Sequence, residues 1–177
     1  EKEEDIMSFK NQIGLEFYDR LVECNCFVLN KYGHMVKIDL ENFFHVKGMG
    51  QRDNSFEDYK KGIFNTSHLK LLTKLTYINI NKFAYWYYDG TKNLDTPYNK
   101  HKTSLTGDIK HLDSLLNLTY INIESMDVTG DILHLKSLRK LTQIILIGCP
   151  HISGDIIHLN SLNELKKIKF HYCKISG

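Results

Sequence analysis

The chain has 177 residues, 42% of them hydrophobic and 25% charged, with 23 lysines and arginines against 21 acids. This is the composition of an ordinary globular protein with enough length for a sizeable core, and it excludes wholesale disorder; the net charge of +2 is too small for the basic footprint of a nucleic-acid surface. No stretch approaches the ~20 consecutive apolar residues of a membrane span, the opening EKEED is the opposite of a signal peptide's basic start, and four cysteines fall far below disulfide-scaffold density, so localisation stays open.

From the N-terminus, Ile6, Phe9, Ile13, Phe17 and Leu21 recur at steps of three and four, which predicts one amphipathic helix within residues 5 to 22. The stretches FVLN and HMVKIDL, separated by KYG, predict a β-hairpin with Val36, Ile38 and Leu40 on one face. Residues 35 to 40 are expected to open a larger sheet. Helix and hairpin, within residues 1 to 61, then form a cap that shields the first strands of the remaining chain from solvent and edge pairing. Residues 47 to 61, polar and glycine-containing, are expected to be a loop.

Residues 62 to 177 are repetitive. Three blocks align, opening at Thr106, Thr129 and Ser153, and their glycines Gly107, Gly130, Gly154 and Gly177 stand 23, 24 and 23 residues apart. The extra residue of the second block falls in the run Gly148, Cys149, Pro150, His151. An earlier, degenerate copy from His68 to Ile80 matches His111 to Ile123 at an offset of 43, so it carries an insertion. Ile121 and Ile123, Ile144 and Leu146, and Ile168 and Phe170 alternate with period two, giving each block one short strand. Stacked in parallel ~4.8 Å apart, such strands merge their apolar stripes into one core that no single block could bury. Leu112, Leu115, Leu118, Leu135, Leu138, Leu141, Leu159, Leu162 and Leu165 close it from the other wall. A glycine at each junction fits a turn that needs positive φ or close backbone approach.

Each block reads L-x-x-I-x-(I/L/F), then (V/I)-(T/S)-G-D-I-x-H-L-x-S-L, and resembles the leucine-rich repeat family over roughly two thirds of the chain. It is most similar to the variety whose repeats run L-T-G-x-I-P. The resemblance implies an α/β fold: a short right-handed leucine-rich-repeat solenoid with a parallel β-sheet on its concave face and a helix-plus-hairpin N-terminal cap. It also implies a binding or scaffolding module and not an enzyme. Two features depart from that pattern. Its proline is replaced by Lys110, Leu133 and Ile157. The family's inward asparagine position holds Phe83, Met126, Cys149 and Cys173, so that ladder is expected to be largely apolar.

The recurring polar residues invite chemistry that their period argues against. His68, His111, His134 and His158 form a linear ladder, whereas zinc needs tetrahedral convergence, and duplication of one block explains the spacing without an ion. Asp108, Asp131 and Asp155 are expected to accept turn or short-helix amide hydrogens, with calcium as the alternative. Ser114, Ser137 and Ser161 repeat with the blocks and read as scaffold residues. Cys149 and Cys173 read as small buried hydrophobes, and Cys24 and Cys26 are too few for a metal site. No nucleophile elbow, phosphate loop, H-E-x-x-H or carboxylate pair occurs, so no catalytic residue, cofactor or metal is assigned.

Residues between the inward ones project from the exposed sheet: Tyr77, Asn79 and Asn81, then Tyr120, Asn122 and Glu124, then Gln143, Ile145 and Ile147, then Lys167, Lys169 and His171. Ile145 and Ile147 are outward by period yet apolar. They read either as the centre of a contact site with a polar rim or as β-branched residues serving strand propensity. In the insertion, residues 81 to 104, Tyr85, Trp86, Tyr87 and Tyr88 either anchor a partner or pack back on the solenoid flank. The expected function is a non-enzymatic module binding a protein, or a glycan, on the concave face and aromatic loop. The alternative is a structural subunit or fragment of a larger assembly. After the strand around Ile168 and Phe170 no polar capping segment follows, so either further repeats or another subunit are expected to cover that edge.

Overall fold

The computed structural model describes residues 2 to 41, 64 to 80, 105 to 125 and 127 to 177. The expected loop at 47 to 61 and the aromatic insertion with Tyr85, Trp86, Tyr87 and Tyr88 lie outside the described residues.

The expected single N-terminal helix is two: α1 (Lys2–Ile13) and α2 (Leu15–Glu23). Gly14 between them takes φ 88°, a left-handed conformation that no α-helix interior contains, and the next helix restarts with Tyr18 N donating to Gly14 O at 3.0 Å. The apolar face survives the break. Phe9 and Leu21 are fully buried and Ile6 and Ile13 pack partly buried against them. The Phe9 ring meets Phe27 edge-on at 5.8 Å, which seats the helices on the hairpin.

That hairpin is β1 (Phe27–Leu29) and β2 (Met35–Asp39), antiparallel with Phe27 opposite Ile38. Asn30 shapes its turn, its Oδ1 accepting from Tyr32 N at 2.9 Å and His34 N at 3.1 Å. Met35, Ile38 and Leu40 are buried while Val36 is half-buried, so the expected inward face holds at Ile38 and Leu40.

The chain then winds through β3 (Phe64–Asn65), α3 (Thr66–Leu69), β4 (Tyr77–Ile80) and β5 (Leu105–Asp108). The later blocks add β6 (Tyr120–Glu124), β7 (Asp127–Asp131), β8 (Gln143–Ile147), β9 (His151–Asp155), β10 (Lys167–His171) and β11 (Lys174–Ser176). Short 3-10 helices Ile109–Leu112, Ile132–Leu135 and Ile156–Leu159 follow β5, β7 and β9. One sheet has six strands in the order β1-β2-β4-β6-β8-β10, parallel from β2 onward, and β2 is its first solenoid strand as expected. Its register reproduces the sequence offsets: Tyr77 faces Tyr120, Tyr120 faces Gln143, and Gln143 faces Lys167. One expectation needs correction, because each block supplies two strands. The T-G-D segments pair in a second, five-stranded parallel sheet, order β11-β9-β7-β5-β3. Reading those segments as turns missed that their backbones, at the same repeat spacing, can pair with each other.

The glycine and aspartate of each block act as one joint. Gly107, Gly130, Gly154 and Gly177 have φ between 96° and 127°, and a Cβ on Gly130 would lie 2.5 Å from Asp108 Oδ1 and 2.8 Å from Ile109 Cγ2. Only glycine lets one coil settle this close onto the carboxylate of the coil before. That carboxylate is engaged: Asp108, Asp131 and Asp155 accept from Lys110 N, Leu133 N and Ile157 N at 2.8, 2.7 and 2.9 Å, capping the 3-10 helices as expected. Asn65 does the same in the degenerate copy, bonding Ser67 N at 2.9 Å. Asp131→Ala should therefore cost about 1 kcal/mol, read as a lower denaturation midpoint with unchanged slope; no shift would show that the cap is idle.

Hydroxyls tie the coils together. Ser114, Ser137 and Ser161 donate to Lys70 O, Asp113 O and Lys136 O at 3.1, 3.1 and 3.2 Å, the scaffold role expected of them. Thr76, Thr119 and Thr142 each donate at 2.9 Å to the carbonyl of Val36, Thr76 and Thr119, a second ladder.

The interior is one cluster running from Phe9 to Leu162. Leu112, Leu115, Leu118, Leu135, Leu138 and Leu141 are fully buried, each burial contributing roughly 1.5–3 kcal/mol. Cover thins along the last coil: Ile168 is 39% exposed although its counterparts Ile121 and Ile144 are at 0%, and Leu165, Phe170 and Ile175 are only partly buried.

Candidate functional site

The outward residues of the six-stranded sheet fall into rows set by the strand register. The first runs Lys37, Tyr77, Tyr120, Gln143, Lys167; the second Asp39, Asn79, Asn122, Ile145, Lys169; the third Glu124, Ile147, His171. The sheet thus brings Tyr120, Asn122, Glu124, Gln143, Ile145, Ile147, Lys167, Lys169 and His171 onto one face. Lys37 and Asp39 belong to the same face; they follow from the expectation that residues 35 to 40 open the sheet and from the alternation K-I-D around Ile38, but were not among the expected outward residues.

The first row is aromatic at its N-terminal end. Tyr77 and Tyr120 stack at 4.3 Å with an interplanar angle of 4°, and Lys37 Nζ stands 4.5 Å from the Tyr77 ring centre. Lys37 also pairs with Asp39 at 3.0 Å. Burial, and next to it the Asp39 carboxylate, push the Tyr77 phenol above its ordinary pKa, so it keeps its proton and remains a hydrogen-bond donor.

The second row is a directed chain of amides. Asp39 Oδ1 and Glu41 Oε2 can only accept, so Asn79 turns its NH2 toward them, at 2.9 and 3.4 Å. Asn79 Oδ1 is then left to accept from Asn122 Nδ2 at 3.0 Å. Asn122 Oδ1 is consequently left facing the next strand, where the in-register residue is Ile145, and it is a buried acceptor without a partner among the described residues. Leaving such a carbonyl unbonded costs about 1–3 kcal/mol.

Ile145 requires a correction. It lies outside the core cluster, which fits its outward direction, yet only 8% of its surface is exposed. Asn122 and Lys169 flank it in register from strands ~4.8 Å away on either side. Ile147 is half-buried; Lys167, Lys169 and His171 are exposed, and neither Lys167 nor Lys169 has an acidic partner among the described residues. The exposed apolar patch reduces to Ile147 beside a basic edge.

The remaining candidates are structural where they are described. His111 Nδ1 is 3.0 Å from Thr66 Oγ1, and His68 Nδ1 accepts from Asn65 N at 3.4 Å with its pKa lowered by burial. Among the described residues no three His, Cys, Asp or Glu side chains gather as a metal site would require. No helix among them is long and apolar enough to cross a membrane. The inward ladder is less apolar than expected. In the block of Met126, itself outside the described residues, the buried Ser125 donates to Leu105 O at 2.5 Å and accepts from Asp127 N. The thiol of Cys149 donates to Ile147 O at 3.4 Å and that of Cys173 to Leu146 O at 3.5 Å.

No family model and no curated protein matches the chain. Among solved structures it is similar to internalin C2 (inlC2) of Listeria monocytogenes, at 20% identity and TM-score 0.41 over 63% of this chain and 38% of that one. An internalin (inlF) of the same organism gives 16% identity and TM-score 0.42, over 63% and 26%. The LRR ectodomain of the receptor kinase SOBIR1 from Arabidopsis thaliana gives 16% and 0.40, over 64% and 55%. The chain spans little more than half of even the last of these. The chain's own repeat, its two parallel sheets in repeat register and its capped 3-10 turns make the fold an α/β solenoid of the leucine-rich-repeat type.

Proposed function

We propose that the chain is a non-enzymatic protein-binding module and that its partner docks on the outward face of the six-stranded sheet. The observation that carries this reading is the junction in the second and third rows. There the Asn122 carbonyl, unpartnered among the described residues, lies beside Ile145 and Ile147, with Tyr120 and Gln143 on one side and the exposed Lys167 and Lys169 on the other. A partner inserting an apolar side chain at Ile147 and an acidic group at the lysines would gain apolar contact and charge complementarity together. We propose that the aromatic run Tyr85, Trp86, Tyr87 and Tyr88, which follows β4 in sequence, adds an aromatic anchor for the same partner.

Ile147→Asp combined with Lys169→Glu tests the reading without disturbing the core, since neither residue belongs to it. The double variant should keep its circular dichroism and melting curve and lose at least tenfold in affinity for a protein partner captured by the native chain. Undiminished affinity would move the site off this face.

The second reading is a structural subunit of a larger assembly, docking on a neighbour through Ile156, Ile157 and Ile168. Sedimentation separates the two: concentration-dependent association abolished by Ile168→Lys, without effect of the face variant, would select docking through the coil.

A further inference from the structure

Cys149 and Cys173 occupy the same place in successive coils, each directly after a residue in the left-handed conformation, Gly148 (φ 62°) and Tyr172 (φ 54°). The parallel pairing of β8 with β10 runs to Ile147 opposite His171 and continues one step further, with Gly148 N donating to His171 O at 2.8 Å. The coils therefore still track at the strand spacing of ~4.8 Å where the cysteines stand. That spacing lies within the roughly 4.4–6.8 Å of Cα separation that a disulfide bridges.

The side chains point into the same space. Both thiols donate to carbonyls of the same strand, Cys149 to Ile147 O and Cys173 to Leu146 O. Their access to solvent differs: Cys149 is fully buried and Cys173 half-buried. Their acidity differs in the same sense. The neighbouring Cys149 side chain is the main influence that lowers the Cys173 thiol below its ordinary value, whereas Cys173, then burial, push Cys149 up. Cys173 is thus the thiol that both meets a solvent-borne oxidant and ionises more readily than its neighbour.

We propose that Cys149 and Cys173 form a redox-dependent disulfide that staples the last coil to the coil before it, with Cys173 as the attacking thiol. A small-molecule disulfide such as oxidised glutathione serves as oxidant. The Cys173 thiolate attacks one of its sulfurs, the S–S bond breaks, and one glutathione leaves as thiolate and takes up a proton. Cys149 then gives its proton to solvent and its sulfur attacks Cys173 Sγ, expelling the second glutathione. Two protein thiols lose two electrons and one small disulfide becomes two thiols, so the exchange balances. The bond closes a loop of about 25 residues around the coil whose Ile168, Leu165 and Phe170 are least covered, which is where a staple changes local opening most.

The test uses the full chain, incubated with oxidised or reduced glutathione, alkylated, digested and mapped by mass spectrometry. Oxidation should link the peptides of Cys149 and Cys173 while Cys24 and Cys26 remain alkylated, and should raise Tm by roughly 6 to 12 °C. Cys149→Ser should trap glutathione on Cys173, and Cys173→Ser should leave Cys149 unmodified. The proposal is overturned by native chain with both cysteines alkylated after oxidation, by a glutathione adduct persisting on Cys173 of the native chain, or by a cross-link that leaves Tm unchanged.

Discussion

Leu141→Ala should lower stability by about 2–5 kcal/mol, the largest loss expected from a single side-chain truncation in this chain. Leu141 is at 0% exposure, and its coil is covered on both sides, by the block of Leu118, also at 0%, and by the block of Leu165. A solenoid coil contacts little beyond its two neighbours, so the void left by the missing side chain has few atoms able to relax into it. Leu165→Ala gives the comparison. Leu165 holds the same place in the last coil but is only partly buried, so its truncation should cost less than half as much. Denaturant midpoints of the two variants decide the matter: equal losses, or none at Leu141, would mean that the coils are not nested as the register requires.

Much of this architecture is legible in the sequence alone, and the reason is the period. Spacings of 43, 23 and 24 residues in the sequence reappear as Tyr77, Tyr120, Gln143 and Lys167 standing side by side, because stacking identical coils turns an offset in sequence into a neighbour in space. Gly14 shows where such reading stops. The apolar residues on either side keep a helical step, but one glycine at positive φ ends the helix without altering the pattern of buried positions. The second sheet was hidden for a related reason: T-G-D is turn chemistry by composition, and its strands exist only because adjacent copies pair with one another. Of the candidate face, alternation gave the outward residues correctly, while the cover on Ile145 and the unpartnered Asn122 carbonyl depend on which side chains flank them across strands. The directed amide chain depends on Asp39 and Glu41 at its head, which only the folded sheet brings beside Asn79.

Gly130→Ala should cost about 3 kcal/mol, more than a helix-interior glycine could return on the same exchange, and it should act through two additive causes. The first is backbone strain: φ 113° lies where an L-residue pays roughly 1–2 kcal/mol. The second is steric. The new methyl would sit 2.5 Å from Asp108 Oδ1 and 2.8 Å from Ile109 Cγ2, and the carboxylate cannot swing away without giving up its bond to Lys110 N. Forcing a methyl into such a contact adds roughly 1–3 kcal/mol. Gly148→Ala gives positive-φ strain without crowding, at the milder φ of 62° and with nothing within 4 Å of the added Cβ. It should therefore lose only about 1 kcal/mol. A third variant, Gly130→Ala with Asp108→Ala, separates crowding from strain: removing the carboxylate relieves part of the clash, so the double variant should be less destabilised than the sum of its parts. Strict additivity, or equal losses at Gly130 and Gly148, would mean that the glycine ladder serves the backbone angle alone and that the coils do not close on the aspartates.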